Sequence, residues 1–222
     1  YAQLVNDSQN PNLEETLVRA ASLSYDAKKY QQAATYFDQL SEVGNAEHKQ
    51  AAALGLLRCW NLLNQYEKTI EAATDLLQRY AGNADMVAEA RYNRMKAYKA
   101  LNKIDNAYSD MKALAADTRS EYGAEAKYYM AQYYLDKNEL EKAEAEVFDY
   151  IEKGTSHQHW LAMTFVTLSD VYMAQDKYFE AKQYLLSLRE NYDTSDDAEV
   201  ANMIEARLKK IESYENESVS NN

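Results

Sequence analysis

Thr164–Tyr192, TFVTLSDVYMAQDKYFEAKQYLLSLRENY, reads as two short amphipathic helices broken at Gln175-Asp176-Lys177. Phe165, Leu168 and Tyr172 fall on one stripe of the first helix at i, i+3 and i+7, and Ala181, Leu185 and Leu188 do the same on the second. Neither helix buries its own stripe, so each needs the other and a further neighbour. Ala181 is predicted to lie where the two helices pass closest, because a larger side chain there would push them apart. Such a unit is an interaction architecture: the fold follows from its residues, but the identity of what it binds does not.

Working outward, the same pattern recurs. Aligned on the small residue of the second helix, the chain offers Ala33, Thr69, Ala107, Ala143 and Ala181, separated by 36, 38, 36 and 38 residues. Three residues earlier stand Tyr30, Tyr66, Ile104, Leu140 and Tyr178; four later, Phe37, Ala73, Met111, Val147 and Leu185; seven later, Leu40, Leu76, Leu114, Tyr150 and Leu188. Nine earlier come Ser24, Trp60, Tyr98, Tyr134 and Tyr172, mostly aromatics that plug the angle between the helices. Four columns agreeing in register predict five repeats, at about 13–44, 45–82, 83–117, 118–154 and 155–192. Breaks within them are expected at Asn64-Gln65, Asn102-Lys103 and Lys137-Asn138.

The pattern resembles that of the tetratricopeptide repeat (TPR) family, which asks for a large residue, Leu-Gly or Leu-Ala and then Tyr in the first helix, followed by Ala, an aromatic and Ala in the second. Lys127, Met130-Ala131, Tyr134, Ala143, Val147 and Tyr150 follow it loosely, and the resemblance spans roughly Leu13 to Tyr192. The proline that usually ends each repeat is missing after Ala33, and the period exceeds the 34 residues typical of the family. Lengthened repeats with a segment such as Gln78–Asn83 and an Ala-Glu-Ala-x-Tyr start, as at Ala88 to Tyr92 and Ala124 to Tyr128, look most like bacterial envelope proteins, the outer-membrane assembly lipoproteins and Tol-associated periplasmic proteins. The resemblance implies an all-α, right-handed solenoid of five helical hairpins, and a non-catalytic protein-protein interaction scaffold in a periplasmic or envelope-associated assembly. The alternatives are a structural spacer or oligomerisation segment of a longer solenoid, and a cytoplasmic location.

Composition agrees with an all-helical chain: one Pro, five Gly and 20 Tyr in 222 residues. Lys and Arg total 24 against 36 Asp and Glu, and the net charge of -12 would repel phosphate backbones, so nucleic acid is not expected as a partner. No run approaches the roughly 18 apolar residues of a membrane span. The chain opens without Met or a charged-then-apolar signal segment, so it reads as processed or excised, with an anchor upstream left open. There is no Gly-rich phosphate loop, His-Glu-x-x-His, Cys pair or nucleophile elbow, so no enzyme and no cofactor are expected. Cys59 reads as a packing thiol. His157 and His159, at i, i+2 with no third ligand nearby, are not expected to bind a metal.

At the ends, residues 1–12 read as the remnant of a preceding repeat or an N-terminal lead. Asn12 with Glu15 forms a capping pattern for the first helix, and Gly44-Asn45 supplies a left-handed residue and the next cap. A capping helix is expected over 193–214, with Val200, Ile204, Leu208 and Ile211 on one stripe to cover the open end of the array. Residues 215–222, polar and poor in apolar groups, are expected to be a disordered tail.

In the TPR arrangement the first helices line a concave groove. Counting by register, residues facing it include Val18 and Ser22, where the family's chaperone-tail clamp wants Lys and Asn, so binding of that kind is not expected. They also include Val166, Asp170 and Met173. The expected partner-binding set is Tyr25, Arg58, Tyr92, Lys96, Lys99, Tyr128 and Gln132: cations that would attract a carboxylate or acidic segment of a protein or peptide, and tyrosines that offer wide, low-entropy contact area.

Overall fold

Apolar stripes at helical spacing, interrupted by short breaks, become a run of helices of 11–23 residues. A computed structural model of the chain describes Val5 and residues 10–220, with side chains to 217. The described elements are α1 (Leu13–Asp26), α2 (Tyr30–Val43), α3 (Ala46–Leu62), α4 (Tyr66–Arg79), α5 (Ala84–Ala100), α6 (Ile104–Leu114), α7 (Glu121–Asp136), α8 (Leu140–Lys153), α9 (Gln158–Ala174), α10 (Tyr178–Asn191) and α11 (Ala198–Ser220), with no strand among the described residues.

Three-residue turns join α1 to α2, α3 to α4, α5 to α6, α7 to α8 and α9 to α10. All five are built alike. Lys28, Asn64, Asn102, Asn138 and Asp176 each adopt a left-handed backbone, with φ between 54° and 59°. The residue after each donates its N–H five positions back, Lys29 to Ser24 O, Gln65 to Trp60 O, Lys103 to Tyr98 O, Glu139 to Tyr134 O and Lys177 to Tyr172 O, at 2.8–2.9 Å. This is the Schellman closure, which satisfies carbonyls left orphaned at a helix C-terminus. Its acceptors are the column that is aromatic at all positions but Ser24, so at Trp60, Tyr98, Tyr134 and Tyr172 the plug and the turn are one device.

The left-handed residue expected at Gly44 is not there. Gly44 is extended, at φ -67° and ψ 158°, and glycine is needed for space: a Cβ would come within 2.7 Å of Leu40 O. Asn45 does cap α3, accepting from His48 N at 3.0 Å. The capping pattern expected at Asn12 and Glu15 does not form. Asn12 O instead takes the Thr16 hydroxyl at 2.8 Å, and the Asn12 N–H is held by Asn10 Oδ1 at 3.0 Å. The reading of the first nine residues falls outside the described residues, apart from Val5.

The chain divides into two compact units, Tyr1–Asp110 and Met111–Asn222. In the first, Val5 is buried with Leu17, Ala20, Ala21, Tyr36, Leu40 and Ala52, while Leu57, Ala73, Leu76, Met86 and Ala90 form a second cluster. Phe37 lies over Gly55, where a Cβ would meet its ring at 2.6 Å. In the second unit one cluster runs from Ala131 and Val147 through Val166, Leu168 and Leu185 to Val200, Ile204, Leu208 and Ile211 of α11. The register residues Ala33, Thr69, Ala107, Ala143 and Ala181 are all fully buried.

Register also places charge inside. The position sixteen before the small residue and the one three after it pair as Leu17 and Tyr36, or Ala53 and Ala72, in an apolar arrangement. At the third and fourth copies they are Arg91 with Asp110, at 3.4 Å, and Lys127 with Glu146. Asp110 is fully buried and also takes Arg94 in a two-pronged bond, at 2.7 and 2.9 Å. That bond holds the Arg94 guanidinium above its ordinary pKa against the opposing pull of burial. Lys127 binds Asp149 as well as Glu146.

α11 runs past Tyr214, where a disordered tail was expected to begin, and continues to Ser220. Tyr214 stacks on Tyr178 with ring planes 12° apart, and Glu215 pairs with Lys182 at 2.7 Å. A polar stretch with two such anchors keeps its helix.

Candidate functional site

On α5, Glu89, Tyr92, Lys96 and Lys99 recur at i, i+3, i+7 and i+10, which puts them along one face of the helix. Arg58 of α3 meets the start of that face: its Nε and Nη2 donate to the two carboxylate oxygens of Glu89, at 2.6 and 2.8 Å. Tyr25 of α1 is half-buried, packs edge-on against Tyr30 at 5.4 Å, and lies within electrostatic reach of Arg58 and Glu89. Burial raises its phenol pKa, and the Arg58 charge partly opposes that rise. Lys96 Nζ stands 5.7 Å from the centre of the Tyr92 ring, within cation-π range. In the first unit, then, Tyr25 and Arg58 gather at Glu89, and Tyr92, Lys96 and Lys99 continue the same α5 face beyond it.

Glu89 was not among the residues singled out from the sequence. It stands one turn before Tyr92 on the same face, and its carboxylate commits the guanidinium of Arg58. Lys96 and Lys99, about 10 and 15 Å further along the axis by helical rise, carry the rest of the positive charge on that face.

In the second unit Tyr128 packs against Tyr129 and Trp160, with ring centres 5.1 and 5.7 Å away, and burial raises its phenol pKa. Gln132 donates to the Thr167 hydroxyl at 2.5 Å, joining α7 to α9. On α9, Val166 and Met173 are buried and Asp170 takes Arg207 of α11 in a two-pronged bond at 2.8–3.1 Å. α11 therefore covers the positions that register assigned to an open face on α9. Tyr128 and Gln132 are thus both engaged within the unit, by Trp160 and Thr167 respectively.

Other reactive groups are held in structural roles. Cys59 is fully buried, and desolvation pushes its thiol up to about 11, far from a nucleophile's range. His157 Nε2 lies 3.0 Å from Arg119 O, whereas His159 Nδ1 lies 2.7 Å from Asp197 Oδ2, so the two rings serve different anchors.

Solved structures with the same arrangement are found among repeat proteins. MamA matches over 85% of this chain and 96% of its own, with a TM-score of 0.66 and 15% identity. The chain has the TPR-like repeat fold. BtubC (BKLC) from P. vanneervenii matches over 82% of both chains, with a TM-score of 0.59 and 17% identity. Nearly identical TPR-like repeats assigned to a kinesin light chain of Podosopora anserina match over 82% of this chain and 96% of theirs, with a TM-score of 0.56 and 15% identity. At such identities the likeness is one of fold. No family model matches the sequence, and no curated protein matches it.

Proposed function

We propose that the protein is a non-catalytic scaffold that holds a segment of a partner protein against the first-helix face of its TPR-like array, with Tyr25, Tyr92, Lys96 and Lys99 as principal contacts. The observation that carries this reading is the α5 face itself. Tyr92 is followed along it by Lys96 and Lys99, and the Arg58–Glu89 pair ties its start to α3. Tyr92 supplies area at low entropy cost, and the lysines steer an acidic segment toward a protein whose net charge would otherwise repel it. Arg58 orients the face through Glu89. The second unit contributes Tyr128 at its own aromatic cluster, with Gln132 beside it.

The scaffold is further proposed to work in a bacterial envelope assembly, in the periplasm. That reading rests on the lengthened repeats and the Ala-Glu-Ala-x-Tyr starts. Division of the chain into five repeats at 13–44, 45–82, 83–117, 118–154 and 155–192 belongs to the same proposal, and the recurring turns support it. Comparative capture from lysate tests the scaffold: wild type should retain a partner that the Tyr92→Ala/Tyr128→Ala double variant loses. Equal yields of the same partners would remove the groove from consideration. Fractionation of the native host tests the compartment, with recovery in the cytosol as the contrary result.

A further inference from the structure

Two residues from Arg58, and so about 200° around α3, Trp60 points into a different surface. It floors a cavity of about 660 Å³ in the first unit, between α2 and α4, with Leu56 beside it. The rim carries Asp38 of α2 and Glu71 of α4. Both carboxylates are exposed, and neither makes a hydrogen bond or ion pair among the described residues. A third rim carboxylate, Asp75, is neutralised by Arg79 at 2.8 Å. A cation of the protein's own already sits at the floor: Lys68 Nζ stands 4.2 Å from the centre of the indole, while Arg79, also on the lining, is held by Asp75.

An aromatic face with two uncommitted carboxylates beside it has the chemistry that recognises a guanidinium or an ammonium group. The ring quadrupole attracts the cation, and each carboxylate accepts charge-assisted hydrogen bonds from it. We propose that this groove is a second interaction surface, and that it takes a basic, arginine-bearing segment of a partner protein, with one side chain displacing Lys68 from Trp60. Arginine suits the seat better than lysine, since its planar guanidinium stacks on the indole while its fork reaches a carboxylate. Lys68 is then a built-in competitor that sets the affinity. The surface is independent of the α5 face, and each stands if the other fails.

Trp60 and Trp160 are the two tryptophans of the chain, so Trp160→Phe leaves Trp60 as the sole indole reporter. Titrating that variant with a capped Arg-Ala-Arg-Ala-Arg peptide should give a saturable change in Trp60 fluorescence. Asp38→Asn/Glu71→Gln should weaken binding by about 10-fold or more, the loss of charge-assisted bonds. Lys68→Gln should strengthen it several-fold by removing the competitor. A control with the same charge change placed elsewhere, Glu180→Gln/Glu205→Gln, should leave binding within about two-fold, since neither residue lines the groove and exposed charges outside it are screened. The proposal is overturned if the peptide gives no saturable change, if the control weakens binding as much as the groove variant, or if Lys68→Gln weakens it. A response to the Glu-Ala-Glu-Ala-Glu peptide equal to that of the arginine peptide would overturn it too.

Discussion

Lys28 occupies, in the first turn, the left-handed position that asparagine or aspartate holds in the other four. Asparagine tolerates that conformation because its short polar side chain can bond locally, whereas a long L side chain costs about 1–2 kcal/mol there. Lys28→Gly relieves the strain and gives some back as chain entropy, so it should stabilise the protein by a few tenths to about 1 kcal/mol, read as a raised urea midpoint. The converse change, Asn102→Val, should destabilise it. The small column answers to volume instead of dihedral angle: Ala143→Leu and Ala181→Leu should each cost about 1–3 kcal/mol by overpacking, and a neutral result at both would contradict the register. Ala33 through Ala181 were readable from spacing alone. Asn64, Asn102 and Asn138 recur with the same spacing, and that column was a visible sign of the left-handed turn. Gly44 misled because glycine after a helix has two uses, a positive φ or bare space, and only the close approach of Leu40 O distinguishes them.

Among elements, α11 is held by three polar anchors as well as its apolar stripe: Asp197 at its start, Arg207 on Asp170 in the middle and Glu215 on Lys182 near its end. Asp197 Oδ1 accepts from Val200 N at 3.2 Å, while its Oδ2 accepts from Tyr192 OH at 2.6 Å and lies beside His159 Nδ1. Burial alone would raise its pKa, but these partners outweigh burial and hold the carboxyl below its ordinary value of 3.8. A depressed folded-state value means that the stabilisation is complete above the unfolded value and is lost as pH falls through the folded one. Stability should therefore drop on acidification below about pH 4, and Asp197→Asn should flatten that drop in urea titrations at pH 7 and pH 3. Removing the stripe acts differently. Ile204→Asp/Leu208→Asp should expose the apolar end of α9 and α10 and drive self-association, seen by light scattering; a folded monomer would deny α11 its covering role. The stripe was readable from its 3.6-residue period. The long-range anchors were not, because His159–Asp197, Asp170–Arg207 and Lys182–Glu215 join residues 33–38 apart in sequence and nothing local marks such pairs; only the bonds of Asp197 to Val200 and Tyr192 are local.

For the molecule as a whole, the balance lies between two kinds of polar group. Asp110 is buried under two arginines, and Asp110→Ala should cost about 3–5 kcal/mol because it strands their charge. Lys96 and Lys99, half-buried on the α5 face, should by contrast alter binding more than they alter stability, since charges at a partly exposed surface contribute little to the fold. Reversing Lys96 and Lys99 to Glu should slow partner association, most at low salt, by more than it lowers the urea midpoint. Sequence register put Tyr25, Arg58, Tyr92, Lys96 and Lys99 on first helices because helical periodicity is local. It could not show that Arg58 meets Glu89, a pairing that depends on how α3 and α5 lie side by side. The central claim, that this face holds a partner segment, is tested most directly by site-specific photocrosslinking in the native host. A benzophenone amino acid is placed in turn at Tyr25, Tyr92 and, as control, Phe179, which is 70% exposed on α10. The account predicts one common adduct at positions 25 and 92 and none at 179; no adduct at 25 or 92, or the same adduct at all three, would contradict it.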